Sequence, residues 1–267
     1  MTHPNRHYLF SLLLFVLAGC TTVPLTGRRQ LNLVSDAEVL NLSNQSYQSY
    51  MKEAKPSTNA SQKTMVNRCG TKIQKAVEDY FKSQGASGLL NGYQWQFTLV
   101  NDKTPNAFCL PGGKVVVYDG ILPYTTNETG LAVVLGHEIA HAVAKHSNER
   151  ISQQMLLQTG GSVLNALMGS QSAETQNIVA SIYGLGSNYG VMLPFSRKQE
   201  YEADKLGLIF MAMAGYDPAE AVSFWSRMSN GSSASVPEFM STHPADANRI
   251  AYIKSILPEV KSLYYKK

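Results

Sequence analysis

Long basic runs, long apolar runs and abundant charge are all missing from this chain of 267 residues. Charged residues make up only 16% and the formal net charge is +4, which argues against nucleic acid as a partner. The longest apolar stretch, Tyr8 to Leu17, falls short of the roughly 20 residues that cross a bilayer. A hydrophobic share of 44% excludes a globally disordered chain. With only 3 cysteines, a disulfide-stapled mini-fold is also excluded. The chain suits one moderately sized domain.

The N-terminus follows its own pattern. Arg6 and His7 precede the apolar run, and Leu17-Ala18-Gly19-Cys20 follows it. A charged start, a short apolar core and small residues describe a cleaved export signal, and the tetrapeptide resembles the bacterial lipobox. The expected layout is therefore a signal over 1–19, a lipidated tether over 20–34 beginning at Cys20, and one catalytic domain over 35–267. Acyl chains on Cys20 would anchor the protein. Thr21 after the cysteine points to the periplasmic face of the outer membrane of a bacterial envelope. Cys69 and Cys109 are then a possible disulfide, or two buried thiols acting as small hydrophobes.

Further along, Val66, Ile73, Val77 and Tyr80 recur at helical spacing. Tyr93, Trp95, Phe97 and Leu99 alternate with polar residues, as in a half-buried strand. Asn106–Leu110 and Lys114–Tyr118 flank Pro111-Gly112-Gly113 and read as a hairpin. A helix capped by Asn127 is expected to run to about Asn148. Ser196-x-x-Gln199 is a capping box opening another helix. Two helical stretches, 218–228 and 244–257, complete a helical second half. The Gly/Ser/Gln-rich stretch 151–193 is long for a connection, and such segments often serve as lids.

The chemistry is concentrated in His137-Glu138-Ile139-Ala140-His141. Positions four apart on a helix return to one face, so both imidazoles present a half-site for zinc, and Glu138 flanks it as general base. Leu131, Val133, Val134, Leu135 and Ile139 mark the helix as buried, where two histidines and a glutamate need a shared partner. A catalytic zinc takes three protein ligands. Glu200 is the best candidate for the third, with Asp204, four residues on, as the carboxylate that fixes a ligating histidine. Glu202, two residues from Glu200, is expected to face solvent or Arg/Lys neighbours.

These residues resemble the zinc endopeptidase family of the CAAX prenyl-protein processing proteases and HtpX. The likeness covers roughly residues 60 to 255. It rests on HExxH at 137–141, Ser-Arg-x-x-Glu-x-x-Ala-Asp at 196–204, Asn-Ala-Phe upstream and Ser-Thr-His-Pro downstream. It implies a mainly helical α+β, zincin-like fold with a small sheet beside the active-site helix. It also implies one zinc held by His137, His141 and Glu200, Asp204 orienting a ligand, and Asn106, Ala107 and Phe108 as an edge strand that binds extended polypeptide substrates. His243 would stand near the site, stabilising the oxyanion or capping the next helix. Arg249 would support the site or neutralise carboxylates. The membrane helices of the prenyl proteases and HtpX, and the tetratricopeptide extension of other relatives, have no counterpart. The expected activity is zinc-dependent endopeptidase cleavage of envelope proteins in quality control. The competing expectation is a chaperone-like or binding lipoprotein with a latent zinc site.

Overall fold

A computed structural model describes residues 20–23, 25–159, 195–230, 238–244 and 247–266. The expected signal over 1–19 and most of the expected lid over 151–193 lie outside them. In chain order the elements are β1 (Cys20–Thr22), β2 (Arg29–Leu31), α1 (Asp36–Glu53), α2 (Ala60–Ser83), β3 (Gln96–Val100), β4 (Ala107–Leu110), β5 (Lys114–Tyr118) and the short α3 (Leu122–Thr125). There follow α4 (Glu128–Val143), α5 (His146–Thr159), α6 (Arg197–Met213), α7 (Glu220–Asn230), α8 (Glu238–Thr242) and α9 (Ala247–Tyr264). The architecture is α+β, mostly helical with a small sheet. Among the described residues no helix is long and apolar enough to cross a membrane.

The expected tether is not a tether. β1 and β2 pair antiparallel, with Cys20 opposite Leu31, and Val23 between them is fully buried in the main core. One buried valine and the ion pairs of Arg28 described below fix this hairpin on the domain.

β5 lies between β3, parallel to it, and β4, antiparallel. Gly112 and Gly113, at φ of +89° and +85°, form the turn from β4 to β5, a backbone region that glycine enters without a Cβ penalty. Period two sorts the side chains. Leu99, Ala107, Cys109, Val115 and Val117 join the core built by α2, α4 and α6. Val100, Phe108, Leu110, Val116 and Tyr118 meet α1 and the start of α5. Both faces are thus covered, where alternation alone suggested one. At about 1.5–3 kcal/mol for each fully buried aliphatic or aromatic side chain, this burial is what holds so small a sheet.

Cys69 on α2 and Cys109 on β4 are buried free thiols. Of the two alternatives the buried thiols stand and the possible disulfide does not: Cys69 Sγ points to the Glu128 carbonyl at 3.8 Å and Cys109 Sγ to that of Leu110 at 3.5 Å. Each fills core volume as a small hydrophobe.

α4 begins where expected, with Asn127 Oδ1 accepting from the Gly130 N–H at 3.0 Å, but ends earlier. Lys145 sits at φ +59°, a left-handed residue that stops a helix. Its Nζ pairs with Asp36 at 2.5 Å, which helps to offset the strain. α5 then starts afresh at His146. α6 crosses α4 at two glycines. A Cβ on Gly207 would lie 2.9 Å from both Gly136 C and His137 N, and one on Gly136 would lie 2.8 Å from Gly207 O. Gly207→Ala is therefore expected to cost about 1–3 kcal/mol by overpacking and to weaken zinc binding, because the displaced backbone carries His137. Denaturant melts with zinc titrations check this; wild-type values in both would mean the helices do not need this approach.

Candidate metal centre

The site lies where α4, α6 and the segment after α8 meet. α4 is buried from Gly130 to Val143, so its polar groups His137, Glu138 and His141 must find partners inside the protein. α6 opens with the expected capping box of Ser196 and Gln199, which places Glu200 and Asp204 one turn apart on the face toward α4. The Phe195 N–H donates to the Thr242 carbonyl at 3.2 Å, holding His243 beside the start of α6.

Four donors converge. His137, His141, Glu200 and His243 offer ligand atoms all within 4.8 Å of one another, and all four residues are buried. His137 Nε2 lies 3.0 Å from His141 Nε2 and 3.2 Å from His243 Nδ1. Glu200 Oε1 lies 3.0 Å from His243 Nδ1 and 3.4 Å from His141 Nε2. Lone pairs facing one another at such distances need a cation or shared protons between them. Glu138 Oε1 and Glu200 Oε2 are buried without a hydrogen-bond partner; Arg249 Nη1 approaches Glu200 Oε2 to 2.6 Å as an ion pair lacking hydrogen-bond alignment. Buried carboxylate oxygens that no hydrogen bond satisfies, facing imidazole nitrogens, fit a bound divalent cation.

Around this group stands a charged support. Asp204 Oδ1 is 3.1 Å from His137 Nδ1, the outer contact that orients a ligating imidazole. Arg249 grips Asp204 with two bonds, Nε to Oδ2 at 2.6 Å and Nη2 to Oδ1 at 2.8 Å, and lies 3.7 Å over the Trp225 ring. Burial and Arg249 push His137 down, but the close carboxylates of Asp204 and Glu200 outweigh them and carry it up to about 9. Burial holds His141 well below the usual imidazole value. Burial also raises Glu138, against the pull of His243 and His137, in the sense a general base requires. Glu200 resists its own burial and stays well below the ordinary carboxylate range, held there by Arg249 and His243.

The other expected residues fall close by. His243 Nε2 is 3.4 Å from Glu138 Oε1, so this ring touches both the donor group and Glu138. β4 is an outer strand of its sheet. The Asn106 carbonyl accepts from the Tyr118 N–H at 3.0 Å, so by antiparallel alternation the backbone groups of Ala107 and Cys109 turn away from β5. The Ala107 N–H is taken by Asn106 Oδ1 at 2.8 Å, and all of β4 is buried. β4 packs on α4, and burial and then the Glu138 charge push the Cys109 thiol well up.

Three partners were not foreseen. Glu202, expected beside solvent or Arg/Lys neighbours, is 7% exposed; it pairs with Arg28 and also bonds to His146 Nε2 at 2.9 Å. His146 Nδ1 lies 2.8 Å from His141 Nδ1. Phe195 rests on His141 with ring centroids 3.9 Å apart. On an unbroken helix His146 would sit about 140° around from His141, so only the break at Lys145 brings the two rings together, and no glycine marks that break.

Comparison with known proteins adds a decisive match: residues 69–257 fit Peptidase family M48. The chain belongs to peptidase family M48. Among M48 relatives, the mitochondrial metalloendopeptidase OMA1 of Saccharomyces cerevisiae is 32% identical, over 97% of this chain and 76% of its own length. The human mitochondrial metalloendopeptidase OMA1 is 30% identical over 92% of this chain and 48% of its own. The beta-barrel assembly-enhancing protease of Escherichia coli is 31% identical over 59% and 33%. This chain spans about half or less of the human and bacterial relatives. The M48 chain is a metalloendopeptidase acting on polypeptides, with zinc as its metal. A binding lipoprotein without activity is thereby set aside. The expected address is corrected as well: relatives that align over most of the chain are named mitochondrial, so the periplasmic face of a bacterial outer membrane does not stand.

Proposed function

We propose that His137, His141 and Glu200 hold the zinc of this metalloendopeptidase, with Glu138 as general base and Asp204 fixing His137. The observation that carries this reading is the convergence of those three donors beside two buried carboxylate oxygens, Glu138 Oε1 and Glu200 Oε2, that no hydrogen bond satisfies. Zinc, when bound, supplies Lewis acidity to the attacking water and the scissile carbonyl. Glu138 removes a proton from that water and delivers it to the leaving amine; burial, which raises its pKa, suits it to both steps. His243 presents Nδ1 to the donor group and Nε2 to Glu138. The same ring serves as a fourth ligand or, turned to substrate, as donor to the oxyanion. Ala107, flanked by Asn106 and Phe108, turns its backbone to the outer side of β4, where an extended substrate would pair, and the sheet beside α4 is in keeping with a zincin-like fold.

The substrates in this reading are proteins of a membrane-bounded compartment, cleaved in their quality control. The name of the Escherichia coli relative, a protease that enhances β-barrel assembly, supports that role. Purified protein is expected to carry about one zinc per chain, by elemental analysis. His137→Ala and Glu200→Ala should each lose it. Full occupancy in Glu200→Ala would remove Glu200 from the ligands.

Lipidation of Cys20 is proposed from Leu17-Ala18-Gly19-Cys20, and β1 begins at that same residue. Cys20→Ser is expected to leave membranes for the soluble fraction with its peptidase activity intact. A processed Cys20→Ser protein that stays on membranes after a high-salt wash would contradict an acyl anchor.

A further inference from the structure

The two metal-facing histidines of α4 are supported differently. His137 meets a carboxylate directly, Asp204 Oδ1 at 3.1 Å from Nδ1. His141 meets another imidazole, with the two Nδ1 atoms 2.8 Å apart. At that distance one nitrogen donates and the other accepts. His141 offers Nε2 to the donor group, so its neutral ring carries the proton on Nδ1 and donates it. His146 must then accept at Nδ1 and keep its own proton on Nε2, where Glu202 Oε2 accepts it at 2.9 Å. Every atom in the row is satisfied in one tautomer of each ring and left in conflict in the other.

Glu202 is fixed in turn by the N-terminal hairpin. Arg28 Nε donates to Glu202 Oε2 at 2.5 Å and the Thr26 hydroxyl donates to Oε1. The same guanidinium binds both oxygens of Glu149, at 3.0 and 2.9 Å, and Gln199 of the capping box donates to that carboxylate at 2.8 Å. One arginine far from α4 in sequence thus ties α5, α6 and the hairpin around the outer side of His141. His146 is fully buried, so no solvent replaces a lost partner.

We propose that His146 is the positioning residue of His141, and that the N-terminal hairpin, through Arg28 and Thr26 on Glu202, holds this pair in the tautomer that leaves His141 Nε2 for the metal. This rests on His141 being a zinc ligand, and the test separates the two ideas. Zinc affinity is measured on the purified protein by competition with a chromophoric chelator, beside thermal melts of the metal-free form. His146→Leu should lower affinity by about 10–100-fold, the usual cost of removing an outer partner. Glu202→Gln, which keeps an acceptor but not the charge, should fall between it and the wild type. Arg28→Ala should move the same way by a smaller factor, and the exposed neighbour Arg29→Ala should not move. A merely structural role would lower the melts and leave zinc affinity unchanged. Wild-type affinity in folded His146→Leu and in Arg28→Ala overturns the inference; if His146→Leu does not fold, Arg28→Ala decides alone. Wild-type affinity in His141→Ala would instead overturn the ligand assignment beneath it.

Discussion

Glu138→Gln is expected to keep its zinc and its fold and to lose peptide hydrolysis by about 10²–10⁴-fold in kcat, the range supplied by a positioned general base. The substitution is nearly isosteric, and Glu138 is 2% exposed, so packing changes little. Its effect on stability should be neutral or favourable, because burial is the main force on this group and disfavours the charged form. An amide in its place removes that cost. An inactive protein that melts at or above the wild-type temperature and carries full zinc would be the signature. Single-turnover cleavage of a quenched fluorescent peptide gives the rate, and activity within tenfold of wild type would show that another group takes the proton.

Arg249→Ala is expected to be the most destabilising change in the site, by about 3–5 kcal/mol in the metal-free protein, the penalty for leaving a buried charge unpaired. Arg249 is 1% exposed and is the cation between two buried carboxylates, Asp204 and Glu200. Arg249→Lys should recover only part of the loss. An ammonium cannot make the paired bonds to Asp204 or lie flat on Trp225. Zinc should restore stability to Arg249→Ala, since a cation bound to the folded state stabilises it by mass action and returns positive charge beside Glu200. Urea melts with and without zinc make the comparison. A metal-free Arg249→Ala that unfolds like wild type would mean that the carboxylates are neutral or solvated.

Much of this centre is legible in the residues themselves. The four-residue spacing of His137 and His141 within an apolar run names both the helix and its buried face. The capping box at Ser196 sets where α6 begins, and so which way Glu200 and Asp204 point. The hairpin at Pro111-Gly112-Gly113 is equally plain, because its turn demands glycine. What escapes are features decided by tertiary contacts. Lys145 carries no local sign that it will turn left-handed; its contact with Asp36, over a hundred residues away, is part of the reason. Glu202 reads as facing either solvent or a basic neighbour, and only the packing of α5 and the hairpin chooses Arg28 and adds His146. Arg28 lies in a stretch whose Pro24 and Gly27 read as a tether, and only buried Val23 and two distant glutamates give it a place. Cys69 and Cys109 suggested a bridge by their number, whereas each is spoken for by the core around it.

The contrast between the two histidine supports also bears on how the chain folds. The contact of His141 with His146 is local and can form as soon as α4 and the first turn of α5 exist. The contacts that complete the donor group span far more chain: His137 with Asp204, Glu200 with His243, and Asp204 with Arg249. Closing loops of that length comes late, after the entropy of many intervening residues has been lost. Until α6 packs on α4, His137, Glu138 and His141 share one helix without Glu200 beside them. The donor group is therefore put together by the packing of α6 on α4, whereas the outer support of His141 by His146 needs only α4 and α5.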